Sequence, residues 1–175
     1  MGMKGGFLIT LLLVVVNALG QSDVVISQYI ETNSGTTPKG IEVFNVSGAA
    51  IDFSVTNLQV YQGTNGGGCG SIVTISSGIL DVDEVWVIGT SDLTTYANTN
   101  GTDLSGTTTY NFGFNGDDAL QLYLGGVVQD EFGTCGSDPG SSWNSGGVDT
   151  RNNNLQLKDG ICDGASSWTD PSIRY

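Results

Sequence analysis

The chain is 175 residues long, carries 18 acidic and 5 basic side chains, and contains no histidine. The missing histidine excludes Ser-His-Asp and Cys-His nucleophiles, His-ligated zinc and histidine acid/base catalysis. The scarcity of Lys and Arg excludes a surface that displaces counterions from nucleic acid and a basic patch for anionic lipid, whereas cationic partners, calcium among them, suit the charge.

Phe7 to Val16 is apolar except at Thr10, shorter than the roughly 20 residues needed to span a bilayer. The small residues of Ala18-Leu19-Gly20 then suit a signal peptidase, so residues 1–20 read as a cleaved secretory signal. Residues 21–175 are expected to form one secreted domain, extracellular or at the cell surface and not inserted in a membrane. Loss of Lys4 leaves four basic groups against eighteen acidic ones, a formal charge of −14. A chain of this length buries roughly two-thirds of its unfolded surface, enough for a core of its own.

Short runs rich in β-branched and aromatic residues follow, separated by Gly, Ser, Thr and Asn. They are VVISQYIE (24–31), GIEVFNV (40–46), LQVYQ (58–62), SIVTI (71–75), EVWVIG (84–89), TYNFGF (109–114), ALQLYL (119–124), VVQDEF (127–132) and NLQLK (154–158). About nine short strands with turn signals between them predict an all-β, antiparallel sandwich, and no segment keeps a helical period over three turns. Ile41, Val43 and Asn45 share one strand face, and Leu120, Leu122 and Leu124 another. Asp81 and Asp83 of DVDE read as a turn before EVWVIG.

The segment NGDD (Asn115, Gly116, Asp117, Asp118) also reads as a turn, because Asn-Gly tolerates positive φ and Asp bonds the amides just ahead of it. It does not match a calcium loop, and calcium is expected at most as a modest stabiliser. In the hairpin that follows, a two-residue Gly125-Gly126 turn would set polar groups opposite the leucines. A three-residue loop, Gly125 to Val127, instead pairs Leu124 with Val128 and Leu120 with Phe132. That register places Asp130 on the apolar face, where it needs donors or a cation; Arg151 is one candidate.

Three cysteines in an oxidising compartment allow one disulfide and one leftover thiol, with three pairings open. Cys135 with Cys162 is the favoured pair, since each follows a late strand, leaving Cys69 free or bridging chains. Trp143 and Trp168, in loops, are expected to plug the sandwich ends, with exposed sugar platforms as the alternative. The triplets at Asn45 and Asn100 match the N-glycosylation pattern and are taken as surface indicators.

ISQYIE, GIEVFN, VSGAAIDFSVTNLQVY, DVDEVWVIG, FNGDDALQLYLGGVVQDEFG, SDPGSSW and WTDPSIRY occur in this order. The order resembles the lamin tail domain family in its secreted, bacterial-type form. The resemblance implies an immunoglobulin-like sandwich and a module that is generally not an enzyme. The expected function is therefore non-catalytic extracellular binding or adhesion, to protein or glycan, without catalytic, cofactor or metal residues. The alternatives are a subunit that assembles with copies of itself into a filament or layer and, more remotely, a hydrolase using carboxylates or a metal.

Overall fold

The computed structural model describes residues 21–31 and 37–175, so the secretory signal expected over residues 1–20 lies outside the described residues. The chain forms β1 (Val24–Glu31), β2 (Lys39–Asn45), β3 (Ile51–Asp52), β4 (Leu58–Gly63), β5 (Gly70–Ile75), β6 (Ile79–Leu80) and β7 (Val85–Gly89). Helix α1 (Ser91–Asn100) comes next, then β8 (Leu104–Thr109), β9 (Ala119–Leu124), β10 (Val127–Phe132), β11 (Asn144–Ser145), β12 (Val148–Asp149) and β13 (Asn154–Gln156). A 3-10 turn, Pro171–Ile173, precedes the last two residues.

One sheet has the strand order β13-β1-β2-β7-β8, the other β10-β9-β4-β5, and two short ribbons pair β3 with β6 and β11 with β12. The inward residues of both main sheets form one apolar cluster, from Val24, Ile26, Tyr29, Ile41 and Val43 on one side to Leu58, Val60, Leu120, Leu122 and Phe132 on the other. Tyr29 stacks on Phe132 across the layers, with centroids 4.2 Å apart and planes within 9°. The all-β sandwich expected from the strand runs is thus present, mostly antiparallel.

Two departures lie between β7 and β9. Strand β8 runs parallel to β7, so the chain must cross back before pairing, and parallel neighbours need a connection of about a dozen residues or more. Helix α1 is that crossover. Its sequence SDLTTYANTN has weak helical character, so packing holds it: Gly40 and Gly89 face each other in the sheet, and the Leu93 side chain fills the dimple left by their missing Cβ atoms. The predicted strand over 109–114 is displaced to Leu104–Thr109. Tyr110, Phe112 and Phe114 do alternate, but they feed rings into the core rather than joining a ladder, each 5.0 Å from the next.

The β9–β10 hairpin combines both registers weighed from the sequence. Leu124 pairs with Val127, so the turn is the two-residue Gly125-Gly126, with φ of 57° and 81°. A bulge at Gln129 then absorbs one residue, and Leu122 faces Asp130 while Leu120 faces Phe132. The three-residue loop is therefore wrong at the turn, yet its inner pairing holds, because burial of the leucine face decides the register and a bulge can restore it.

The disulfide joins Cys69 to Cys135, with Cα atoms 5.6 Å apart, and Cys162 is the free, exposed thiol. The Cys135–Cys162 pairing is thereby corrected. Sequence proximity misled, because the loop after β4 folds against the turn after β10, as the Gly136 amide donating to Gly67 O shows. Asn45 is fully buried and donates to Ala49 O, Leu80 O and Asp81 O, so the triplet at Asn45 marks a structural asparagine and not a surface site.

Candidate functional site

The segment NGDD is a turn, with the Asp118 amide donating to Asn115 O at 3.0 Å. Neither Asn115 nor Gly116 takes a positive φ, so the reason given for the glycine needs correction. A Cβ on Gly116 would collide with the Arg151 backbone; close approach, not dihedral freedom, requires it. Asp118 accepts from the amides of Asn65 (2.8 Å) and Asn115 (3.1 Å), and burial pushes its carboxyl above the usual range, opposed by those amides. Asp117 is 7 % exposed, and its buried Oδ1 lacks a hydrogen-bond partner.

Beside this turn lies a buried charge group. Lys39 pairs with Glu31 at 3.5 Å, donates to Phe114 O and stands 5.5 Å from the Phe114 ring centroid. The Tyr29 hydroxyl and the Asn152 amide donate to Glu31 Oε2 at 3.3 and 2.9 Å. Burial, then the Glu31 charge, pushes the Tyr29 hydroxyl well above its usual range. Among the described residues, no group of three or more Cys, Asp or Glu side chains is arranged to hold a metal ion. A cross-strand Glu-Lys pair at the core edge, with its lone pairs filled by protein donors, is built to hold structure.

Asp130 is the second buried carboxylate, 1 % exposed, and it does face inward as the register required. Its partner is Arg174, not Arg151: Arg174 Nη2 donates to both carboxylate oxygens at 3.2 and 3.1 Å, whereas Arg151 is exposed. The amides of Ile26 (2.9 Å), Glu131 (2.9 Å) and Ala165 (2.7 Å) also donate to it. Burial pushes the carboxyl up against the opposing pull of Arg174 and these amides. One side chain therefore ties β10 to β1 in the facing sheet, to the 161–168 loop and to the chain's last turn. Tyr175, next in sequence, packs 5.6 Å from Phe132 and 6.0 Å from Trp168. Trp143 and Trp168 are 2 % and 7 % exposed, so both plug the sandwich and neither is an exposed platform.

With Glu31, Lys39, Asp130 and Arg174 paired inside the sandwich, the surface most suited to a ligand is the outer face of the β10-β9-β4-β5 sheet. Outward residues alternate with Leu58, Val60, Leu120 and Leu122, which point in. Register places Gln59 opposite Tyr123 and Tyr61 opposite Gln121, and the two tyrosine rings meet diagonally, 4.4 Å apart with planes at 32°. The Tyr123 hydroxyl donates to Gln121 Oε1 at 3.3 Å, Gln121 Nε2 donates to Glu131 Oε2 at 3.2 Å, and the Cys135 amide donates to Glu131 Oε1 at 2.7 Å. This chain of bonds orders the rings before any ligand arrives. Gln59, Ser71 and Thr74 add amide and hydroxyl groups around them, Gln59 Nε2 lying 3.4 Å from Thr74 Oγ1.

Sequence reading missed this face because Tyr61 and Tyr123 are 62 positions apart and only strand pairing brings them together. The alternation within ALQLYL, which turns Tyr123 outward, was the available signal. Comparisons with family models, curated proteins and solved structures returned no match.

Proposed function

We propose that the protein is a secreted, non-catalytic β-sandwich module for extracellular binding or adhesion, and that the Tyr61–Tyr123 face contacts a neutral glycan. The ordered ring pair framed by amides and hydroxyls carries the reading. Sugar rings present C–H faces to aromatic π-systems and hydroxyls to amides, and this face offers both chemistries on one plane. Residues 1–20 as a secretory signal and the Cys69–Cys135 bond in an oxidising compartment support export. The resemblance to secreted lamin tail domains, with their immunoglobulin-like arrangement, supports a module whose task is contact rather than turnover.

Retention of the purified protein on insoluble neutral polysaccharides tests this. Tyr61→Ala and Tyr123→Ala are each expected to cost about 1 kcal/mol of binding, roughly a fivefold weakening. Unchanged retention in the double variant would refute the assignment of the face. Strand β8, LSGTTT, which carries neither charge nor proline and ends its sheet, favours self-assembly as a second reading.

A further inference from the structure

We propose that the groove between α1 and the outer face of the β13-β1-β2-β7-β8 sheet binds a lysine or arginine side chain from a basic segment of a partner protein. The groove has a volume of ≈ 300 Å³, at the small end for a ligand site and suited to one long side chain. It lies on the opposite side of the sandwich from the tyrosine pair, so the inference goes beyond the proposed glycan contact and stands or falls separately.

The groove follows from the crossover. Leu93 anchors α1 over Gly40 and Gly89, which holds the helix against one half of the sheet and leaves the strip beside it open. Val85 and Val87 form an aliphatic floor, Leu93 and Ala97 a wall, and Tyr96 the rim. Tyr96 is 67 % exposed, a large aromatic held out beside an apolar trough.

Glu42 stands at one end, opposite Val87 in β7 and Gln28 in β1. Ser27 Oγ and Gln28 Nε2 both donate to its Oε1, at 2.8 and 3.2 Å. Among the described residues no donor reaches Oε2. The carboxylate is thus oriented by two neighbours and keeps one oxygen without a protein donor, on a residue that lines the groove.

These parts specify the occupant. An aliphatic floor takes a methylene stem, an oriented carboxylate takes an ammonium or guanidinium, and an exposed tyrosine ring adds a cation-π contact. A neutral apolar chain would leave Glu42 desolvated and unpaired, and an acidic one would be repelled. The formal charge of −14 over residues 21–175 steers basic partners towards the protein at long range; the groove supplies the place where one side chain docks.

Diffuse attraction to an acidic protein is the competing explanation, and charge-matched variants separate the two. Fluorescence anisotropy would follow a labelled peptide of alternating Lys and Ala with Glu42→Gln, Tyr96→Ala and Asp138→Asn proteins. Asp138 is exposed and packs against Gly66 in the loop after β4, on the side of the other sheet, and its substitution removes the same single charge as Glu42→Gln. The expected result is about tenfold weaker binding for Glu42→Gln, two- to fivefold for Tyr96→Ala, and a change under about twofold for Asp138→Asn. Unchanged melting temperatures would show that the variants are folded. Equal losses in Glu42→Gln and Asp138→Asn, no loss in Tyr96→Ala, absence of peptide binding, or tighter binding of a Leu-Ala or Glu-Ala peptide would each overturn the proposal. Polysaccharide retention by the Glu42→Gln protein should match the parent, which keeps this outcome distinct from that for the tyrosine face.

Discussion

Replacing Arg174 with methionine tests whether Asp130 is the tie that closes the sandwich. Methionine keeps an apolar stem but removes the guanidinium that donates to both Asp130 oxygens and to Asp163 O at 3.0 Å. The carboxylate, 1 % exposed, would then retain three amide donors and no counter-charge. Leaving one member of a buried pair uncompensated costs about 3 to 5 kcal/mol. At roughly 2 to 4 °C per kcal/mol for a domain of this size, the melting temperature should fall by about 6 to 20 °C in calorimetry or circular dichroism. Protonation relieves the lone carboxylate, so the deficit should shrink in acid. A double variant, Asp130→Leu with Arg174→Met, separates ion pairing from amide capping. It removes both charges but strands the Ile26, Glu131 and Ala165 amides, at about 1 to 3 kcal/mol for each one left buried and unsatisfied. It should therefore stay well below the parent. A shift under about 2 °C for Arg174→Met, or a double variant as stable as the parent, would refute the reasoning.

The disulfide and the acidic turn give two further expectations. Cys69→Ser opens a loop of 66 residues, worth about 4 kcal/mol by chain entropy, and alkylation without reduction should label Cys162 alone in the parent; labelling at Cys69 would sink the pairing. The Asp118 carboxyl is raised by burial, so the folded state holds its proton more tightly than the unfolded chain, and its contribution, complete below the ordinary value near about 4, is lost as the pH rises through the folded value. Asp118→Asn should flatten part of that decline in a series of thermal melts. A stability difference from the parent that stays constant with pH would count against it.

Local pattern sufficed for much of the molecule. The alternation of Ile41, Val43 and Asn45 placed all three inward, and each is fully buried, because a strand with one buried face writes its orientation into a period of two. The leucines of β9 likewise forced Asp130 inward, even though the turn that achieves it was misjudged. A bulge is invisible in the sequence, since it costs one residue anywhere along the strand. Helix α1 carried no usable period; it exists because parallel β8 needs a crossover and because Leu93 fits above two glycines 49 positions apart.

The chain's own residues determined a β-rich, strongly acidic domain without histidine chemistry, with alternating strands, tight turns and an inward aspartate. Those features depend on neighbours within a few positions or on composition alone. Tertiary structure decided which cysteines meet, that Arg174 rather than Arg151 answers Asp130, that Tyr61 and Tyr123 share a face, and that a groove opens beside α1. Each is a contact between segments far apart in sequence, set by how two sheets and one crossover pack, and no local pattern encodes the partner's address.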